Sequence, residues 1–258
     1  MEITARELSD PHYLATKKII FADVDETICE TCQVVEDEMA EVISSLIKKG
    51  YIFAFISGTE PHYLKEMISS KIKGKHFLLP GTGTICIDVS ENEKELYRFS
   101  LTAEERKEVL LALQNLTEHY NIQSMTTKED QIQDRKTQIA LSAIGRHAPT
   151  ELKKQYDPDG EKRKVWIKYL KTILDEKKYE ITIAGTSTID ITRKGLDKGW
   201  GIKQFSDHQG IDLTSIIFFG DKTYPGGNDY PATKIVDYVT VKSPRETLEK
   251  LRAINLIN

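Results

Sequence analysis

KIIFADVDETI, residues 18–28, is a short apolar run that ends abruptly in acid. Ile19, Ile20, Phe21 and Ala22 are followed at once by Asp23 and Asp25, then Thr27, with no glycine between. An apolar run of this length, bounded by polar residues, reads as a strand covered on both faces of a parallel sheet. In such sheets ligands bind beyond the carboxyl ends of the strands, so the two carboxylates are expected at the mouth of a site. Successive strand side chains point opposite ways, so Asp23 and Asp25 can share that site only where strand gives way to loop. There one carboxylate can attack phosphorus while the other handles a proton. Such a site calls for a hard cation, and Mg²⁺ held by carboxylates and phosphate oxygen fits. Taken alone, D-x-D-x-T is also an ordinary polar turn after a strand.

Composition narrows the function classes. The chain has 258 residues, 39% hydrophobic and 29% charged, as in an ordinary globular protein. Its net charge of −4 gives no bulk attraction to nucleic acid or to an anionic membrane, so any phosphate site must be local. No apolar run approaches a membrane span and the first residues lack a signal-peptide core, which leads to the expectation of a cytoplasmic protein. Three cysteines, Cys29, Cys32 and Cys86, argue against a disulfide scaffold. Cys29 and Cys32 form a C-x-x-C without the second pair that zinc needs; a redox role and two small soft side chains beside a site both stay open.

Outward from residue 28 the pattern stays α/β. A helix is expected over 36–49 and a second buried strand over 51–56 (YIFAFI), ending in Ser57-Gly58-Thr59. A hydroxyl and glycine at a strand end before a helix can hold a phosphate oxygen. A third strand over 77–79 runs into Pro-Gly-Thr-Gly-Thr, 80–84, which lacks the spacing of a dinucleotide loop and opens no helix. From there the pattern changes. A hairpin is expected around the polar segment 90–94, a capped helix over 102–120, and strands over 122–125, 137–144, 179–184 and 188–192. A second helix is expected over 160–175. These elements read as an inserted α+β unit. Basic residues collect in it, among them Lys128, Arg135 and Arg146. The core resumes at Leu196-Asp197-Lys198-Gly199-Trp200, with a helix to 209. A buried strand, SIIFF at 215–219, ends in Gly220-Asp221-Lys222-Thr223, with Asn228 and Asp229 a few residues on. The expected architecture is a Rossmann-like doubly wound parallel sheet formed by 1–86 and 187–258, with 87–186 inserted as a cap domain.

Four strand ends or helix starts thus carry D-x-D-x-T, S-G-T, D-K-G and G-D-K-T-x-P-G-G-N-D in that order. In this arrangement the chain resembles the haloacid dehalogenase superfamily, in the branch with a large C2-type cap between its second and third motifs (subfamily IIB). Within it, the chain is most similar to the eukaryotic-type phosphomannomutase family. FFGDKTYPGGND at 218–229, Ser142-Ala143-Ile144-Gly145-Arg146, and Thr188-Ile189-Asp190 followed by Leu196-Asp197-Lys198 carry the likeness. The resemblance implies Mg²⁺-dependent phosphoryl transfer on a small phosphorylated substrate, a hexose phosphate by the family's habit. Asp23 would be the nucleophile. Asp25 would be the general acid/base and would lend a backbone carbonyl to the metal. Ser57 and Lys198 would hold the transferring group, and Asp23, Asp25 and Asp221 would ligate Mg²⁺ with Asn228 and Asp229 behind them. Thr27, Gly58, Arg135, Arg146, Thr188 and Asp190 would contact substrate. The resemblance also allows a homodimer through the inserted unit.

The chain departs from the mutase pattern at several points. Cys32 stands where the family carries an arginine, Lys128 replaces another arginine, Glu26 stands where glycine is usual, and the second motif is S-G-T. Lysine lacks the bidentate fork of arginine. A mutase must retain a bisphosphate during turnover, so each lost phosphate contact favours hydrolysis. The expected activity is that of a sugar-phosphate phosphatase. Interconversion of mannose 1-phosphate and mannose 6-phosphate is the alternative, and a non-catalytic phosphate-binding or receiver-like module a third reading.

Overall fold

A computed structural model describes residues 1–90 and 92–257. In chain order its helices and strands are α1 (Pro11–Thr16), β1 (Ile19–Ala22), α2 (Asp37–Lys48), β2 (Ile52–Ile56), α3 (Pro61–Ser69), β3 (His76–Leu79), β4 (Ile85–Val89) and β5 (Lys94–Arg98). There follow α4 (Ala103–His119), α5 (Lys128–Gln131), β6 (Ile132–Asp134), β7 (Gln138–Ser142), α6 (Thr150–Tyr156), α7 (Glu161–Leu170), β8 (Tyr179–Ala184) and β9 (Thr188–Arg193). The chain closes with α8 (Lys198–Gln209), β10 (Ile216–Gly220), β11 (Asp237–Thr240) and α9 (Pro244–Ile257).

Two compact units emerge: Met1–Arg98 with Leu196–Asn258, and Phe99–Gly195. The first is built on a seven-stranded sheet of order β11-β10-β1-β2-β3-β4-β5. β1 pairs in parallel with β10 on one side and β2 on the other, with Ile19 opposite both Ile216 and Ile52. The chain therefore winds outward from β1 in both directions, and the crevice at the strand ends lies where the winding reverses. All four β1 residues are buried because both faces are covered. Ile20, Ala22, Phe53, Phe55, Ile217 and Phe219 meet α2, α3 and α9 through Ile43, Leu46, Leu64 and Leu251. Ile19, Phe21, Ala54, Ile56 and Phe218 meet α8 through Ile202 and Phe205. Phe205 stands edge-on to Phe21 at 5.1 Å and to Phe77 at 4.9 Å, a favoured aromatic arrangement. Residues 1–3 extend this sheet: Glu2 bridges to Tyr238, and the Ile3 N–H donates to the Tyr238 carbonyl at 2.7 Å.

The second unit is an antiparallel sheet of order β6-β7-β9-β8. α4 and α7 pack on it through Val109, Leu113, Leu116, Trp166 and Leu170, against Ile139, Leu141, Ile189 and Ile191. The expected capping box is formed: Thr102 accepts from the Glu105 N–H at 3.2 Å, and Glu105 accepts from the Thr102 N–H at 2.7 Å. Asp130 organises the turns beside the sheet. Its Oδ2 accepts from Thr126 Oγ1 at 2.5 Å and from the His147 N–H at 3.1 Å, and its Oδ1 bonds His147 Nδ1 at 2.5 Å.

Some elements differ from expectation, each for a non-local reason. The hairpin of β4 and β5 belongs to the first unit, because β4 pairs antiparallel with β3 and lengthens that sheet. Of its polar turn, Glu91 lies outside the described residues. The chain accordingly divides at Arg98/Phe99 and Gly195/Leu196, against the expected 86/87 and 186/187. The second change moves because β9 pairs on both sides within the small sheet. The strand expected over 122–125 is a loop; the strand pairing with β7 is the three-residue β6 instead. β7 is buried on both faces, its small Ala140 lying between Gln133 and Asp190.

Two outcomes follow from this packing. Phe205→Ala, at a side chain with no exposure, is expected to lower the unfolding free energy by about 3–5 kcal/mol in guanidinium titrations. Burial disfavours the Asp130 charge, but the Thr126 and His147 donors outweigh it and hold the group at about 2, below its ordinary 3.8. A depressed carboxylate contributes stability above its unfolded value and loses it as pH falls through its folded value. Wild-type stability is therefore expected to decline between 3.8 and about 2, and Asp130→Asn to be flatter over that window and less stable at neutral pH.

Candidate active site

Lys198 is the first residue of α8 and is 1% exposed. An ammonium at a helix amino end opposes the helix dipole, and an unpaired buried charge costs several kcal/mol. Both costs are offset by two carboxylates: Nζ lies 2.5 Å from Asp23 Oδ1 and 2.5 Å from Asp229 Oδ1. Asp229 is itself fully buried, and its Oδ2 accepts the Lys222 N–H at 2.9 Å. Asp197 caps the helix by accepting the Trp200 N–H at 2.9 Å, so the turn carrying Lys198 is fixed locally as well.

The sheet supplies the rest of the arrangement. The Asp23 N–H donates to the Phe219 carbonyl at 2.9 Å, continuing the β1–β10 ladder one step past β1. Asp221 follows β10 directly, so adjacent parallel strands deliver two carboxylates side by side. Ligand oxygens of Asp23, Asp221 and Asp229 all lie within 4.8 Å of one another. Burial pushes Asp23 up, to about 6; Lys198 pulls it down and Asp229 pushes it further up. Burial works against the Lys198 ammonium too, yet the two carboxylates outweigh it and raise that group above its ordinary value. Burial is the largest influence on both groups; it sets the direction for Asp23, and the carboxylate contacts reverse it for Lys198.

This donor set fits a hard divalent cation. It is all oxygen and carries excess negative charge. Asp221 Oδ2 lies 3.1 Å from Lys222 Nζ, whereas its Oδ1 is buried with no hydrogen-bond partner among the described residues. Asp229 has both oxygens engaged, so Asp23 and Asp221 are the carboxylates with capacity for a metal.

The other expected residues of this unit fall around that centre. Asp25 is half-buried, and its Oδ1 accepts the Cys32 N–H at 2.8 Å. Thr27 is fully buried, with Oγ1 lacking a hydrogen-bond partner among the described residues. Ser57 follows β2, is 3% exposed, and its Oγ accepts the Thr59 N–H at 3.1 Å; Gly58 between them is exposed. Asn228 is exposed beside Asp229. Glu26 has φ 60°, a left-handed value that accounts for a glycine preference there, and its carboxylate bonds the Thr31 hydroxyl and N–H.

In the inserted unit, Arg135 follows β6 and Arg146 follows β7. Both donate to one acceptor, Gln133 Oε1, at 2.7 and 3.2 Å. Gln133 Nε2 is in turn tied to the Asp130 carbonyl at 2.9 Å. Thr188 and Asp190 lie on β9, with Asp190 in register with Ala140 and Thr182. Gly145, before Arg146, has φ 105° and no room for a side chain beside Thr126, which is why the S-x-I-G-R turn needs glycine. Gln133 and Lys222 were missed by sequence reasoning. No motif marks Gln133, whose role depends on a turn brought in from β7; Lys222 was legible only as the residue after Asp221.

A buried lysine–aspartate centre at the reversal point of a doubly wound sheet, with three carboxylates close enough to share a cation, defines a class: α/β proteins that handle phosphoryl groups at strand ends. The model of the haloacid dehalogenase-like hydrolases matches residues 20–240, and the chain belongs to that family. It is 28% identical to a phosphomannomutase of Schizosaccharomyces pombe over 254 residues, 92% of this chain and 94% of that one. It is 26% identical to phosphomannomutase 2 of Dictyostelium discoideum, covering 89% and 93%. Among solved structures, a haloacid dehalogenase-like hydrolase from Bacteroides thetaiotaomicron superposes with a TM-score of 0.64 at 14% identity, over 92% of this chain and 99% of that one. An IMP-bound Plasmodium falciparum IMP-nucleotidase variant gives 0.61 at 16% identity, over 98% and 69%. The protein is an enzyme of the phosphatase or phosphotransferase type. Among the described residues no helix is long and apolar enough to cross a membrane.

Lys198→Met strands two buried carboxylates. It is expected to cost roughly 3–5 kcal/mol in the metal-free protein, read by guanidinium unfolding. Saturating Mg²⁺ is expected to raise the thermal midpoint of the wild type, by a free energy of about 2.7 kcal/mol at a hundredfold excess over Kd. Asp221→Asn, at the carboxylate with the unpartnered oxygen, should abolish that shift without unfolding the protein.

Proposed function

We propose that the enzyme is a Mg²⁺-dependent phosphatase of small phosphorylated metabolites, with a sugar phosphate as substrate and Asp23 as nucleophile. The observation that carries this reading is the Asp23 carboxylate held at 2.5 Å by the buried Lys198 ammonium, one residue past β1 and beside Asp221. An Asp23 oxygen attacks phosphorus, the new P–O bond forms as the ester P–O bond breaks, and Asp25 gives its proton to the departing oxygen. Water then attacks the aspartyl phosphate, losing its proton to Asp25, and inorganic phosphate leaves. Lys198 and Ser57 hold the transferring oxygens, so catalysis rests on positioning and charge stabilisation. Asp23, Asp221 and the Asp25 backbone carbonyl would hold the cation, which neutralises phosphoryl charge when bound. Asn228 and Asp229 support these ligands. Thr27 and Gly58 line the approach, and Arg135, Arg146, Thr188 and Asp190 of the inserted unit bind the remainder of the substrate.

A second reading is a phosphomannomutase, supported by relatives of that name at 25–28% identity over most of the chain. Position 32 weighs the other way. The resemblance would put an arginine there; Cys32 instead offers its backbone N–H to Asp25 and an exposed neutral side chain. Without that cation, a bisphosphate intermediate is held less tightly and water competes better.

With Mg²⁺, mannose 1-phosphate and a trace of hexose 1,6-bisphosphate, ³¹P NMR is expected to show growth of inorganic phosphate without a 6-phosphate signal. Asp23→Asn should lower that rate by about a thousandfold or more. Cys32→Arg should raise the ratio of phosphoryl transfer to release. Growth of the 6-phosphate alone in the wild type would replace the phosphatase reading with the mutase.

A further inference from the structure

The Pro-Gly-Thr-Gly-Thr loop after β3 has no place in the chemistry above, yet it touches the Ser57 turn and the first turn of the helix that carries Lys198. On one side it grips the Ser57 turn through the main chain: the Ser57 N–H donates to the Leu79 carbonyl at 3.2 Å, Thr82 N–H to the Ser57 carbonyl at 2.8 Å, and Gly81 N–H to the Thr59 carbonyl at 3.3 Å. Thr84 closes the loop on itself, its Oγ1 donating to the Gly81 carbonyl at 2.8 Å.

On the other side it meets the first turn of α8 backbone to backbone. A methyl group on Gly83 would stand 2.6 Å from Gly201 Cα, and one on Gly201 would stand 2.7 Å from the Thr82 carbonyl oxygen and 3.0 Å from Gly83 Cα. The opposite flank of that turn is as tight, since a methyl on Gly199 would stand 2.7 Å from the Pro231 carbonyl oxygen. Lys198 thus leaves a helical turn wedged between two segments of main chain. The loop holds an unfavourable shape to make this contact: Thr82, a β-branched residue, has φ 61° and ψ 30°, and Gly83 has φ 87°. Such backbone persists only where its surroundings over-determine it, and it clusters at functional sites.

We propose that the contact between the 80–84 loop and the first turn of α8 sets the placement of Lys198 on Asp23, with Gly83 and Gly201 as positioning residues for phosphoryl transfer. The catalytic part of this inference rests on the reading of Asp23 as nucleophile; the positioning part does not. Main chain against main chain leaves no rotamer to adjust, so an added methyl must move the helix or the loop, and Lys198 is the next residue but two from the point of contact.

The test reads Lys198 directly and through activity. In ¹⁵N-lysine-labelled protein, the Nζ resonance that disappears in Lys198→Met is expected to be sharp and slowly exchanging in the wild type. It should shift and broaden in Gly201→Ala and persist in Asp207→Gly, a control at an exposed position farther along the same helix. With p-nitrophenyl phosphate and saturating Mg²⁺, Gly201→Ala should lower kcat at least tenfold, with a smaller change in KM. The same change on the Lys198→Met background should cost less than twofold, because a residue acting through Lys198 has nothing further to lose. Thr84→Val, which deletes only the loop-closing hydrogen bond, should give a milder effect of the same pattern and serves if Gly201→Ala does not fold. A Lys198 resonance unchanged in both variants, or an equal loss of kcat on both backgrounds, overturns the positioning role. Wild-type protein that releases no phosphate from any monoester overturns the catalytic reading and leaves the resonance to decide the placement.

Discussion

A lysine buried at the start of a helix is the constraint on which this structure turns. Lys198 sits where the helix dipole repels it and water cannot reach it, so it is tolerable only with carboxylates in contact. Asp23 comes from the end of β1, and Asp229 from the turn after β10. Bringing these together requires β1 and β10 to be neighbours although most of the chain lies between them, and that neighbourhood is what the reversal of a doubly wound sheet provides. The apolar strands and the charged centre are thus one arrangement. Ile19, Phe21, Ile216 and Phe218 hold the sheet and α8 together from below, and the ion pairs tie them at the strand ends.

The centre is not neutral, and that imbalance is its chemical asset. Asp23 and Asp229 hold a buried ammonium with Asp221 close beside them, and Lys222 lends a second, more exposed cation to Asp221. Burial, with Asp229 adding to it, raises the pKa of Asp23, and the surplus of carboxylates over cations suits a divalent cation. The same imbalance separates roles among similar residues. Asp229 has both oxygens occupied and so fixes Lys198, whereas Asp221 retains an oxygen without a hydrogen-bond partner among the described residues and Asp25 stands apart on the loop, held by a backbone N–H.

What could be read from the sequence was whatever announces itself locally. β1, β2 and β10 are uninterrupted apolar runs, and each is followed at once by the polar residues of the site, so strand and function share one signal. The capping box of α4 was likewise visible, since Thr102 and Glu105 sit within one turn. What escaped is set by partners distant in sequence. The β4–β5 hairpin looks the same whichever sheet it joins, and only its pairing with β3 assigns it. β6 is three residues long, too short for a period to show. Gln133 matters because β7 brings Arg146 to it, and the Gly-Thr-Gly of 81–83 matters because α8 returns from far along the chain to lie against it.

The loop after β1 holds Asp25 through main chain. Its path is strained, with Glu26 and Cys32 both at left-handed φ near 60°. Glu26 ties it through Thr31, and Asp25 ties it through the Cys32 N–H. The contact that orients Asp25 is therefore made by main chain and does not depend on which side chain occupies position 32. That side chain is exposed, so its identity can change without disturbing the hydrogen bond that orients Asp25. A change of side chain at position 32 leaves the buried contacts among Asp23, Lys198 and Asp229 as they are. The loop thus combines a main-chain-tied path around Asp25 with an exposed side-chain position at 32.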